Sequence, residues 1–239
     1  MNIDLYNEGI GCVELVQSMG EDITVVNAAR VSFGKQKETL DGKDEKLIKY
    51  LIRHKHTSTL EHNIITFRFV VPLFVRSQHH RHRTWSYNEI SRRYTAENLR
   101  FYEPNFFRTQ HKSNRQASNP TELADPIIFP DLSDLDFGQR ASDVVQRHHK
   151  ISVKLYNDLM KNGVCREQAR GVLPQNLYTE YYGTCNLNNL IKFIELRTHS
   201  GAQWEIQEAA KACLMIAETI WPVTIGAYRD TKKLPEVSK

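Results

Sequence analysis

Residues 81–93 read RHRTWSYNEISRR. Arg81, His82 and Arg83 are followed, after seven intervening residues, by Ser91, and Asn88 and Glu89 lie between. The wider window 76–93 carries five arginines and three histidines against one acid, Glu89. Folding alone does not require so dense a cationic run. It implies an anionic ligand, and the arginine fork matches phosphate and carboxylate geometry.

Working outward, the strongly apolar segment 64–75 lies immediately upstream. Within 62–70, Ile65, Phe67 and Phe69 alternate with Thr66 and Arg68, which predicts a strand. Pro72 then suits the first turn of a helix carrying Phe74, Val75, Gln78 and His79. The basic motif is therefore expected to begin at a helix end and continue through a loop. Helices are expected over 23–30, over 43–53 with Leu47, Tyr50 and Leu51 on one face, and over 141–160 with Val144, Val145, His148, Ile151, Leu155 and Leu159 near one face. A short helix is expected over 166–172, ended by Gly171 and Pro174. An aromatic strand follows over 177–185. Asn186 caps a helix through Arg197, and the last long helix covers 203–221. The stretch 100–137 is rich in Pro, Asn, Asp and Ser without a sustained period, and reads as a polar surface loop or insert. This order predicts a helix-rich α+β fold in one domain spanning 1–239.

The chain has 239 residues, 40% hydrophobic and 25% charged, with a net charge of +4. That length allows a sizeable core. The charge is weak for a dedicated nucleic-acid binder and suits small anionic substrates. Cys12, Cys165, Cys185 and Cys213 are scattered without a C-x-x-C pair, which points to a reducing cytoplasm. No secretory leader is evident at the start, and no run reaches transmembrane length.

Several common signatures are absent: G-x-G-x-x-G, Walker A, G-x-S-x-G and H-E-x-x-H. No cysteine sits in a local nucleophile motif. No metal is expected either. His82 lies between Arg81 and Arg83, where a dication is repelled, and the other histidines are expected to pack and hydrogen-bond.

The chain resembles the flavin-dependent thymidylate synthases. Their signature, R-H-R followed after seven residues by S, is met by Arg81, His82, Arg83 and Ser91. The longer form R-H-R-x-x-S-x-N-E-x-S-x-R-Y is met through Ser86, Asn88, Glu89, Arg93 and Tyr94. Further matches are A-A-R-V-S at 28–32, His56 with Glu61 and His62, R-x-x-L-P-x-N-L-Y-T at 170–179 and L-R-x-x-x-x-A-Q-W-E-I-Q at 196–207. Only the 100–137 stretch and the final tail clearly fall outside the resemblance.

The resemblance implies a methyltransferase that converts deoxyuridine monophosphate (dUMP) to thymidylate. The carbon would come from 5,10-methylenetetrahydrofolate and the hydride from FAD reduced by NADPH. It implies a mixed α/β fold and a homotetramer with sites shared between subunits. It places flavin contacts at Ser32, Ser58, Glu61, Arg81, His82, Arg83, Asn186, Asn188 and Lys192. It places nucleotide contacts at Gln78, Arg81, Glu89, Ser91, Arg93, Arg170 and Arg197, with Arg197 at the uracil carbonyl as the catalytic residue. His56, His82 and Tyr94 match positions near the folate. The chain departs from the family at Asn188, where an arginine is frequent, and at Lys192, where an asparagine is frequent. Two other readings stand beside this one. One is a different flavin or nucleotide enzyme. The other is a nucleic-acid module using 76–93 as a phosphate track, with Trp85 and Tyr87 as stacking platforms.

Overall fold

The computed structural model describes residues 1–95, 98–129 and 138–232. Residues 96–97, the 130–137 part of the expected polar stretch 100–137, and the final tail from 233 lie outside the described residues. In chain order the elements are β1 (Asn2–Asp4), β2 (Cys12–Met19), α1 (Asp22–Arg30), α2 (Gly42–Arg53), β3 (Ile64–Pro72), α3 (Leu73–His79) and β4 (Ser86–Glu89). They continue with β5 (Phe107–Gln110), β6 (Ser118–Ala124), β7 (Ile127–Ile128), β8 (Gln139–Arg140), α4 (Ala141–Lys161) and α5 (Arg166–Ala169). The last are β9 (Tyr178–Asn186), α6 (Leu187–Arg197), α7 (Trp204–Ile220) and α8 (Pro222–Lys232).

The expected α+β class holds. The main sheet runs β1-β2-β3-β9-β4 and every pair in it is antiparallel. β3 is central and pairs with β9 from Ile64↔Asn186 to Pro72↔Tyr178. Ile65, Phe67, Phe69 and Val71 of β3 join one core with Ile206, Ala210, Cys213, Leu214 and Ala217 of α7 and Leu190, Phe193 and Ile194 of α6. Burying a side chain of this size contributes roughly 1.5–3 kcal/mol. Trp221 is fully buried, and its indole N–H donates to the Gly20 carbonyl at 2.9 Å. The sheet thus presents the β3–α3 junction, and the motif that follows it, at the end of its central strand.

Some expectations need correction. The basic motif is not all loop: Ser86–Glu89 is an edge strand on β9. The 100–137 stretch is not a featureless loop, because β5 and β6 pair within it. β2 and α8 were not foreseen. On α4 the buried residues are Ala141, His149, Ser152 and Tyr156, while Ile151 and Leu155 are 53% and 46% exposed. Specific hydrogen bonds set that face: His149 Nδ1 lies 2.6 Å from Glu103, and the Ser152 hydroxyl donates to the Val172 carbonyl at 2.6 Å. On α2 the buried face carries Asp44, Ile48 and Leu51, and Tyr50 is exposed. Asp44 is buried because it accepts from Arg30, Lys37 and the Asp41 amide.

Candidate active site

The cationic motif rests on an aromatic floor. His79 closes α3, fully buried, with Nδ1 2.8 Å from the Tyr181 hydroxyl. Its ring lies 4.5 Å from those of Trp85 and Phe193 and 4.7 Å from that of Phe69. Burial holds its pKa well below the ordinary value, so this ring is neutral. The Tyr87 hydroxyl donates to the His79 and His82 carbonyls at 3.0 and 3.1 Å, which pins the turn. β9 approaches closely at Gly183, where a Cβ would stand 3.1 Å from Phe69 and 3.3 Å from Trp85. Trp85 itself is 6% exposed. It belongs to the floor and is not free to stack on a base.

Arg197, at the end of α6, reaches this turn. Its Nε–H donates to His82 Nε2 at 3.1 Å, and a terminal nitrogen donates to the Gln78 carbonyl at 3.0 Å. His82 must therefore be neutral. Burial, reinforced by the Arg197 charge, lowers its pKa to about 4. Burial and the nearby Arg81 charge lower the pKa of Arg197 in turn. Among the described residues no carboxylate pairs with Arg81 or Arg197. A guanidinium bonded only to neutral acceptors, with a second cation nearby, forms a site for an anion or for developing negative charge.

A second site lies on the other side of α3. A cleft of about 540 Å³ is lined by Arg76, Glu89, Ser91, Arg92, Arg170 and Thr179, among others. Glu89 accepts from the Thr179 hydroxyl at 2.6 Å and lies 3.1 Å from Arg76, a close ion pair without hydrogen-bond alignment. The Ser91 hydroxyl oxygen accepts from the Arg93 amide at 3.3 Å. Arg93 points its guanidinium toward Glu167 at 3.4 Å and is not among the cleft-lining residues; Arg92 is. Arg76 and Gln78 are two positions apart on α3 and so project to different faces.

Some of the expected flavin positions, Ser58, Glu61, Asn186, Asn188 and Lys192, lie on or beside α6. Ser58 sits on the turn 57–60, Glu61 ends it, and the Asn188 amide donates to Glu61 at 2.8 Å. Asn186 caps α6 by accepting from the Asn189 amide at 2.9 Å. Asn188 and Lys192 line a cleft of about 480 Å³ together with Arg53, Lys55, Thr57 and the apolar Leu51, Ile52, Leu60, Ile191 and Tyr228. The rim also carries Glu195 and Thr231, so three cations, Arg53, Lys55 and Lys192, outnumber one acid over an apolar floor, a lining compatible with an aromatic ring system joined to a pyrophosphate. Ser32 lies just after α1, exposed, with its hydroxyl on the Ala29 carbonyl at 3.3 Å. Arg83, Tyr94 and His56 are exposed.

Cys12, Cys185 and Cys213 are buried, and burial raises their thiol pKa values; Cys165 is exposed. Among the described residues, no group of three or more His, Cys, Asp or Glu is arranged to hold a metal, and no helix is long and apolar enough to cross a membrane. Sequence reasoning gave no site role to Arg92, Gln203 or Glu205. The only available signal was their position, beside Ser91 and inside the A-Q-W-E-I-Q segment.

Known proteins resemble this chain in sequence and in fold. The family model described as thymidylate synthase complementing protein matches residues 14–223. The flavin-dependent thymidylate synthase of Thermus thermophilus is 40% identical over 220 residues, covering 92% of this chain and 76% of the relative. That of Thermotoga neapolitana is 39% identical over 228 residues, covering 95% and 94%. The crystal structure of the UMP/dUMP methylase PolB from Streptomyces cacaoi, bound with 5-Br dUMP, is similar with a TM-score of 0.75 at 33% identity, covering 91% and 94%. With that coverage, and with the R-H-R turn held on its aromatic floor beneath Arg197, the chain belongs to the flavin-dependent thymidylate synthase family.

Proposed function

We propose that this chain methylates dUMP to thymidylate, with 5,10-methylenetetrahydrofolate as carbon donor and NADPH-reduced FAD as the source of hydride. The observation that carries the reading is Arg197, bonded to neutral His82, close enough to Arg81 to feel its charge, and without a carboxylate partner among the described residues. In this reading Arg197 meets the uracil carbonyl and stabilises negative charge as C5 becomes nucleophilic. His82 is kept neutral, so it accepts a hydrogen bond from Arg197 Nε–H and orients the fork without adding a competing charge. Ser91 and Arg170 supply phosphate donors in the cleft, and Glu89 holds Arg76 there. Ser32, Ser58, Glu61, Arg81, His82, Arg83, Asn186, Asn188 and Lys192 would hold FAD, which supplies the reducing equivalents. His56 and Tyr94 would lie toward the folate.

The nucleotide residues of one chain are split across two faces of α3, with Ser91 and Arg170 on one side and Gln78 and Arg197 on the other. A homotetramer in which different subunits supply the two halves of each site accounts for that split. The whole chain acts as one catalytic domain in the cytoplasm, a reading supported by the free cysteines. The burial of Trp85 and the modest net charge of +4 speak against the nucleic-acid module.

Purified protein should be yellow, and anaerobic incubation with dUMP, methylenetetrahydrofolate, FAD and NADPH should yield thymidylate. Protein that takes up no FAD and forms no product would overturn the proposal. The solved relative named as a UMP/dUMP methylase motivates a second substrate. Competition between UMP and dUMP in the same assay decides whether the ribonucleotide is accepted.

A further inference from the structure

We infer that Glu205 is a positioning residue for the nucleotide, acting through Gln203 to fix which end of the Gln78 amide is offered to the ligand. This rests on the function proposed above. Glu205 is 3% exposed at the start of α7. Three donors converge on its carboxylate. One oxygen receives the Arg108 guanidinium, at 2.5 Å, and the Tyr102 hydroxyl, at 3.1 Å. The other receives the Gln203 amide nitrogen at 3.0 Å.

From there the polarity is forced. A carboxylate only accepts. Gln203 must therefore present Nε2 to Glu205, since its oxygen in that place would set two acceptors about 3 Å apart. Gln203 Oε1 is then left facing Gln78, and Gln78 must present its own Nε2, at 2.5 Å. Gln78 Oε1 remains as an acceptor with no donor among the described residues. The backbone carbonyl of this same Gln78 holds Arg197. One buried carboxylate thus sets, through two amides, an acceptor beside the arginine expected at the pyrimidine. Such an acceptor selects a nucleotide group that carries hydrogen, a ring N–H or a sugar O–H. The relay also links the β5–β6 hairpin to the site, because Arg108 belongs to β5 and lies 4.8 Å over the Trp204 ring.

The inference is tested on the FAD-loaded protein by calorimetric titration with dUMP. Glu205→Gln lets the Gln203 amide reverse, and Gln203→Leu cuts the relay while sparing the Arg108–Glu205 pair. Each should raise the dUMP Kd about tenfold, the scale of one hydrogen bond, with FAD stoichiometry and NADPH reduction unchanged. Tyr102→Phe removes a bond to the same carboxylate but leaves the amide chain, and should lower Tm without moving Kd. N3-methyl-dUMP and the 3′-deoxy analogue identify the ligand's donor: the analogue lacking it binds the wild type more weakly and is insensitive to Gln203→Leu. An unchanged dUMP Kd in both relay variants overturns the inference. So does an equal loss in Tyr102→Phe, or an analogue series in which both remain sensitive. Wild-type protein that binds FAD but no dUMP would instead overturn the function on which it rests.

Discussion

The two faces of α3 treat their cations differently. On the cleft side, Arg76 lies 3.1 Å from Glu89, so part of the local positive charge is answered within the chain. On the other side, the Arg81 charge helps to lower the pKa of Arg197, and Arg197 bonds only neutral acceptors. The difference separates anchoring from activation. Glu89 in the cleft orients Arg76 for a bound phosphate, whereas an acid beside Arg197 would compensate the charge that the reaction needs to use.

The sharpest way to break this contrast is Arg197→Ala. Methylation should fall by about 10²–10³, the scale for losing one such donor, while NADPH still reduces bound FAD. Arg197→Lys should recover little, because an ammonium cannot hold His82 and the Gln78 carbonyl with one planar fork. Following flavin absorbance and nucleotide product separately checks both. Equal damage to the two half-reactions would assign Arg197 to the flavin instead.

Arg170→Ala should act on binding. A rise in KM for dUMP of about 10–100-fold, with a smaller change in kcat, is expected from loss of a charged hydrogen bond of roughly 1.5–3 kcal/mol. A fall in kcat at unchanged KM would contradict the division between the two faces.

The neutral state of His82 brings a pH dependence. Its folded pKa is depressed to about 4 against an ordinary 6.5. Above the unfolded value both states are neutral and the stability is fully present. As pH falls below it, the unfolded chain takes up the proton first and stability is lost, levelling off near the folded pKa. His79 and His80 are shifted in the same direction by burial. Thermal melts should show Tm falling between pH 7 and 5, and His82→Gln should flatten part of that slope. A slope unchanged by the substitution would remove His82 from the account. The smallest effect is expected at Cys165→Ser: an exposed thiol that is not among the cleft-lining residues should leave turnover unchanged, and a loss would reopen a cysteine mechanism.

The alternating apolar residues of 62–70 and the helix-forming pattern of 203–221 identified β3 and α7, because strong periodicity and deep burial coincide there. α4 misled the reading: its apolar residues Ile151 and Leu155 face outward, while His149 and Ser152 go inward to partners at Glu103 and Val172 that no local pattern reveals. β4 was hidden for a related reason. A four-residue edge strand is defined by its partner β9, some ninety positions later in the chain.

The sequence by itself determined the family, through an arginine–histidine–serine spacing too specific to arise otherwise, along with the α+β class and the cationic character of the site. The tertiary structure alone decided how that charge is arranged. Which arginine finds an acid, that His82 is neutral, that Trp85 is floor and not platform, and that Glu205 reaches Gln78 through Gln203 all depend on residues far apart in the chain. Hydrogen-bond polarity and desolvation act over a few ångströms of space, and a linear sequence carries no record of which distant groups will share that space.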